Sequence, residues 1–254
     1  VILIPGATCS GDEWNETVQH LSKNYECHVI TLAGYAGTTP LPNGPYLETM
    51  KNQIEEYIRD RNLNNVILIG HSIGGMLSLW IASEMNDHLQ KALIVDAMPF
   101  FAVVKDEHAS DTFNENTAKA MLADMNKMNN DQLKFRQAMT ARYMCSDSAH
   151  WDIITTWGIM SDKKTMAYTM NEMNTKDLRK TISNIKIPVL VLGAYSYIPQ
   201  YPTYTRESVV KIYGDQYKAC SKCTVHVAEG NTKHFVMYDN PKWYFKEMDA
   251  FFKP

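Results

Sequence analysis

Asn65-Val66-Ile67-Leu68-Ile69-Gly70-His71-Ser72-Ile73-Gly74-Gly75-Met76 is the stretch whose reading decides the fold. Residues 66–69 are apolar and mostly β-branched, the pattern of a short buried strand. The run Met76-Leu77-Ser78-Leu79-Trp80-Ile81-Ala82 that follows reads as a helix. Between them stands Gly70-His71-Ser72-Ile73-Gly74, a G-x-S-x-G pattern. Alone that pattern is common; between a strand and a helix it acquires a mechanical meaning. So sharp a turn forces the serine into strained backbone angles. Glycines at 70 and 74 leave room where a side chain would clash. Ser72 then sits at a helix N-terminus, where the dipole and free N–H groups favour developing negative charge.

The same rhythm continues outward in both directions. Further apolar strand candidates lie at residues 1–4, 27–32, 92–95, 189–192 and 224–227. Most are apolar on both faces, as parallel strands covered by helices are. Helical patterns fall near residues 13–21, 48–61, 75–83, 206–217 and 242–252. Alternating strands and helices predict an α/β fold with a doubly wound, mostly parallel sheet and right-handed crossovers. One connection is too long. About 90 residues separate Asp96 from Pro188, far more than a crossover needs. This segment carries Met121, Met125, Met128, Met139, Met144, Met160, Met166, Met170 and Met173, with Trp151 and Trp157. We read it as an inserted helical cap followed by a sheet-packing helix, giving a core of residues 1–99 and 176–254 and a cap with linking helix at 100–175. Most of the methionines fill the cap's interior; some are expected to line a pocket, because thioethers adapt to apolar ligands.

Bulk properties narrow the classes of function. The chain has 254 residues, 45% of them hydrophobic, enough for a large core. Its net charge of −3 comes without basic runs, so neither a nucleic-acid stripe nor a polybasic membrane patch is expected. No apolar stretch nears the roughly 20 residues of a membrane span. The chain opens inside a strand at Val1, without Met or polar lead-in, so upstream residues are expected to be missing and any targeting signal with them. Five cysteines, Cys9, Cys27, Cys145, Cys220 and Cys223, cannot all pair within the chain. Cys220-Ser221-Lys222-Cys223 has CxxC spacing but lies between a helix and the last strand, so ordinary thiols or a local disulfide are expected rather than a redox or zinc site. Cys9 and Cys27, flanking adjacent strands, are compatible with export. No metal and no cofactor is expected, and the expected partner is a small-molecule substrate.

A serine nucleophile needs donors for its oxyanion and a base for its proton. The amide of Ile73 is one candidate donor. Ala7, in Ile4-Pro5-Gly6-Ala7-Thr8 after the first strand, is the other. Of the eight histidines, His234 in Glu229-Gly230-Asn231-Thr232-Lys233-His234 follows the last strand, where a loop can carry an imidazole over the turn. His71 adjoins the serine, but neighbours on a sharp turn point apart, so it is read as a pocket residue. His20, His28, His88, His108, His150 and His226 lie elsewhere. Asp239 before Asn240-Pro241 is read as the cap of the final helix.

These residues together resemble the α/β-hydrolase superfamily over nearly the whole chain. The likeness rests on Pro5-Gly6-Ala7 with Trp14 beyond it, Gly34-Tyr35-Ala36-Gly37, the turn at Ser72, the late His234, and Asp177-Leu178-Arg179 leading to Ile187-Pro188 and the strand after it. The resemblance implies a Ser–His–acid triad hydrolysing an ester, thioester or amide. In one respect the chain departs from the pattern. Most members carry the acid in a Gly-x-x-Asp turn after the penultimate strand; here that turn is Gly193-Ala194-Tyr195-Ser196. Asp96, at the end of the strand after the nucleophile helix, is the replacement we expect, as haloalkane dehalogenases and some lipases place theirs. The order Ser72, Asp96, His234 also keeps the superfamily's chain order. Asp162 and Glu229 are the other acids considered.

Phe100 and Phe101, with Tyr195 and Tyr197, are expected as pocket walls, beside Tyr201 and Tyr204. An aromatic and methionine lining points to an ester of a small, largely apolar acyl group. Three other readings stay open. An aminopeptidase would use cap acids such as Asp106, Glu107 or Glu115; a carbon–carbon hydrolase shares the scaffold; a receptor would use the scaffold without catalysis. Dehalogenation is disfavoured, because it needs a carboxylate where Ser72 stands.

Overall fold

The computed structural model describes residues 1–102, 111–201 and 203–253. Six parallel strands form one sheet among these residues: β1 (Ile2–Ile4), β2 (His28–Val29), β3 (Val66–His71), β4 (Leu89–Val95), β5 (Val189–Gly193) and β6 (Cys223–Val227). Their order is β2-β1-β3-β4-β5-β6. From β1 the chain winds outward to β2, then returns to β3 and winds the other way. The reversal puts a crevice beyond the carboxyl ends of β1 and β3, where open α/β sheets hold their ligands. The strand at 27–32 is shorter than its apolar run, because β2 is an edge strand held only by β1.

Both faces of the sheet are covered, as the unbroken apolar strands require. Alternate residues divide between two cores. Ile2, Ile4, Leu68, Ile94 and Val191 face one, against α2 (Tyr46–Asp60), α3 (Ile73–Glu84) and α8 (Arg206–Tyr217). Leu3, Ile69, Leu93, Val95 and Leu192 face the other, against α1 (Asn15–Leu21), α9 (Val236–Asp239) and α10 (Pro241–Phe252). The helix pattern at 13–21 splits: Gly11–Trp14 is a 3-10 turn, capped by Ser10, and α1 follows. On α2, Tyr46, Leu47, Met50, Ile54 and Ile58 make one buried stripe at helical spacing. Each such apolar side chain contributes about 1.5–3 kcal/mol relative to exposure.

Among the described residues four α-helices lie in the long connection: α4 (Glu115–Lys127), α5 (Asn130–Met144), α6 (Trp151–Met160) and α7 (Lys163–Thr175). Asn114, Asn129 and Asp162 cap α4, α5 and α7 through their side chains. Glu172 on α7 accepts the amides of Tyr46 and Leu47, at 2.8 and 2.7 Å, tying the inserted helices to α2. Cys220 and Cys223 form a disulfide between α8 and β6, while Cys9, Cys27 and Cys145 are free. Among the described residues no helix is long and apolar enough to cross a membrane.

Candidate active site

Strand register brings the site together before any side chain is considered. Ile4 pairs with Gly70, His71 with Val95, and Val95 with Leu192. The residues just past those positions therefore share one rim: the Pro5-Gly6-Ala7 turn, Ser72, Asp96 and Ala194. The amide of Ser72 donates to Val95, and that of Asp96 to Leu192, at 2.9 and 2.8 Å. The ladder thus runs right up to those turns.

Ser72 has φ 53° and ψ −120°, a strained conformation for a residue with a side chain. The strain is forced by packing. A Cβ at Gly70 would overlap the Gly74 carbonyl and Ser78 Oγ; one at Gly74 would overlap the Ile4 carbonyl. Only glycine at both positions lets α3 start so close to β1 and β3. Ile73 is the first residue of α3, where an amide has no acceptor within the helix. Ala7 and Ile73 line the same cavity as Ser72. Among the described residues Ser72 Oγ makes no hydrogen bond.

His234 Nδ1 lies 2.5 Å from Asp96 Oδ2. Asp96 also has a left-handed backbone, with φ 43°, which turns its carboxylate back over the strand ends. Its other oxygen accepts hydrogen bonds from Tyr213 Oη at 2.5 Å and the Ala194 amide at 2.8 Å. Burial alone would raise the Asp96 pKa. The His234 contact, the Tyr213 hydroxyl and the Ala194 amide outweigh it and hold the carboxyl below its usual range. Burial and Asp96 push the Tyr213 phenol well up, so it remains a neutral donor.

A cavity of about 880 Å³ opens over Ser72, His234 and Asp96. One side is apolar: Met98, Phe101, Met121, Met125, Met166 and Met173. The other is polar and comes from one face of α5, with Arg136, Gln137, Thr140 and Tyr143. Tyr195 and Tyr197 line it, as does Tyr204. Phe100 does not. It is buried beneath the Arg179 guanidinium, 4.9 Å from it, because consecutive residues leaving β4 turn to opposite sides. His71 touches the cavity, but its ring is buried and faces Glu13. Its ring also lies 4.5 Å from that of His234. Met139 and Met160 are largely exposed instead.

The alternative acids lie elsewhere: Asp162 caps α7, Glu229 is exposed, and Glu115 pairs with Lys119 on α4. Asp106, Glu107 and His108 lie outside the described residues. Asp239 is not a helix cap. It ends α9, and Asn240 holds the cap position. Its carboxylate accepts the amides of Ser146, Asp147 and Lys233, at 2.8, 3.0 and 2.8 Å, fastening the His234 loop to the end of α5. Reading the sequence missed Glu13, Tyr213 and Arg136. Tyr213 and Tyr217 recur at helical spacing on α8, a signal of a shared buried face; Glu13 has no local signal at all.

Comparisons with known proteins agree with this architecture. A family model described as alpha/beta hydrolase fold matches residues 1–241. A pimeloyl-[acyl-carrier protein] methyl ester esterase of Vibrio cholerae is 25% identical over 198 residues, covering 76% of this chain and 73% of its own. A bromoperoxidase of Bacillus anthracis superposes with a TM-score of 0.79 at 18% identity, over 100% of this chain and 91% of its own. An esterase of Exiguobacterium antarcticum does so at 0.76 and 15%, over 98% and 90%. With a switch-point crevice, a strained serine turn and a family match spanning residues 1–241, the chain belongs to the alpha/beta hydrolase fold family.

Proposed function

We propose that this chain is a serine esterase that cleaves an ester of a largely apolar acyl group, with Ser72 as nucleophile, His234 as general base and Asp96 as the acid. The observation that carries the reading is the 2.5 Å contact between Asp96 Oδ2 and His234 Nδ1, on the same rim as the strained Ser72. The similarity to a methyl ester esterase supports the same bond type.

In this reading His234 takes the Ser72 proton as Oγ attacks the carbonyl. Asp96 holds the imidazole with Nδ1 protonated and Nε2 facing the serine, and stabilises the imidazolium that forms. The amides of Ala7 and Ile73 receive the oxyanion, where fixed donors cost no reorganisation. The leaving alcohol collects the proton from His234, and water then releases the acyl group by the same route. The methionine side of the cavity receives the acyl chain, since thioethers conform to apolar ligands of varied shape. The inserted helices α4 to α7 serve as the cap and linking helix over it.

A panel of p-nitrophenyl esters from acetate to octanoate, with wild type and Ser72→Ala, tests the reading. Turnover by wild type and background rates for Ser72→Ala are expected. Equal rates for the two would refute the assignment of Ser72.

A further inference from the structure

Glu13 and His71 face each other beneath the cavity, with side chains 0% and 1% exposed. Two charged groups so buried are expensive, and an apolar pair of the same volume is often as stable. The proposed chemistry uses neither. His71 Nε2 faces the carbonyl oxygen of His234 at 3.0 Å, so it must carry a proton and cannot serve as a base. What the pair does is connect. One Glu13 oxygen accepts the Gly6 amide at 2.8 Å, and Gly6 immediately precedes the Ala7 donor. The other oxygen meets His71 Nδ1. The chain of contacts therefore runs from the turn after β1, through the residue before Ser72, to the backbone of the loop after β6. Gly6 fits this bridge closely: a Cβ there would stand 2.8 Å from His71 Nδ1.

We propose that Glu13 and His71 are a positioning pair, setting the oxyanion donor at Ala7 and the imidazole of His234 at their working distance from Ser72. This rests on the reading of Ser72 and His234 given above. Loops from three strands meet here with no ladder between them, and backbone contacts to a buried side-chain bridge replace the missing one. His71 Nε2 faces the His234 carbonyl, and Nδ1 lies against Glu13 Oε1 as an ion-pair contact rather than an aligned hydrogen bond, an arrangement that suits the imidazolium. The charged groups around it are Glu13 from the 3-10 turn, Asp96 from the end of β4 and His234 from the last loop. Burial lowers the His71 pKa, but Glu13 and then Asp96 outweigh it and the net shift is upward.

The test compares Glu13→Gln with the double variant Glu13→Leu/His71→Leu in the full chain, using p-nitrophenyl butyrate and a fluorophosphonate to count active sites. Glu13→Gln keeps an acceptor for Gly6 and offers a donor to a neutral His71. Its kcat is expected within about threefold of wild type, because each contact survives. The double variant leaves no unpaired buried charge, but the Gly6 amide and the His234 carbonyl each lose a partner, so it is expected to melt below wild type, and its kcat is read well below the melting temperature. Its kcat is expected to fall about 10- to 100-fold at nearly constant KM, short of the loss of a whole oxyanion donor. A double variant with wild-type kcat overturns the proposal, as does a Glu13→Gln variant as slow as the double one. Imidazole ¹⁵N NMR of the wild type reads the bridge without substitution. Two protonated ring nitrogens on His71 at pH 7 are expected, and a singly protonated ring overturns the proposal. A wild type no faster than Ser72→Ala would instead overturn the esterase reading.

Discussion

Replacing Asp96 by Asn tests the proposed acid with almost no change of shape. The carboxylate accepts three hydrogen bonds: His234 Nδ1 at 2.5 Å on one oxygen, Tyr213 Oη at 2.5 Å and the Ala194 amide at 2.8 Å on the other. An Asn side chain has one acceptor oxygen and one amino group. With its oxygen toward Tyr213 and Ala194, the amino group faces His234 and donates to Nδ1. The imidazole proton then moves to Nε2, and the ring can no longer take a proton from Ser72. With the side chain flipped, the amino group confronts two donors, at about 1–3 kcal/mol for each partner left unsatisfied. The first orientation is therefore favoured, and it holds the wrong tautomer. The expected loss in kcat is about 10³–10⁴, or about 4–5.5 kcal/mol of transition-state stabilisation. Stopped-flow hydrolysis of p-nitrophenyl butyrate at pH 8, normalised to phosphonate-titrated sites, measures it. A folded Asp96→Asn enzyme within tenfold of wild type would refute the tautomer argument and move the acid elsewhere.

Other expectations follow from the same geometry. Gly74→Ala places a methyl group on the backbone carbonyl of Ile4, which cannot give way; urea unfolding should show a loss of about 2 kcal/mol or more. A loss under 0.5 kcal/mol would mean that the β1–α3 approach is looser than described. His71 holds its proton more tightly when folded than unfolded, because Glu13 outweighs burial. That stabilisation is complete below the unfolded value of about 6.5 and fades as pH rises through the higher folded value. The Tm difference between wild type and Glu13→Leu/His71→Leu should therefore shift against wild type from pH 6 to pH 9, and a constant difference would contradict it. Arg136, half-buried on the polar wall, has no ion-pair or hydrogen-bond partner for its guanidinium among the described residues. Arg136→Met should lower kcat/KM about 10-fold for an ester whose acyl chain ends in a carboxylate, relative to a neutral ester of equal length. An unchanged ratio would exclude Arg136 from substrate reading.

Residues close in sequence explain themselves locally. Gly70, Ser72 and Gly74 belong to one turn, and the clash Gly70 avoids, with the Gly74 carbonyl and Ser78, lies within it, so the pattern between strand and helix predicts the strained serine. The clash Gly74 avoids, with Ile4 of β1, is a tertiary contact. The unbroken apolar strands announce a sheet covered on both faces, and the 90-odd residues after Asp96 announce an insertion, because no crossover needs that length. His234 is legible from its place after the last strand. Asp96 is read from its place after β4 and from the resemblance to members that carry their acid there, because the usual turn holds Ser196.

The sequence by itself determined the parallel sheet, the serine turn, the late histidine and the inserted helices, because periodicity and short-range sterics act over a few residues. Tertiary structure alone decided what those residues touch. Tyr213 reaches Asp96 across 117 positions, His71 reaches the His234 backbone across 163, and Glu13 reaches the Gly6 amide from within a core that no local pattern marks. Asp239 fastens a loop where its sequence context resembles a helix cap, and Phe100 turns away from the cavity that Phe101 enters. Hydrogen bonds between distant segments depend on strand register and on the angle at which each chain leaves its strand. Those are set by the packing of the whole sheet and are written in no single stretch of it.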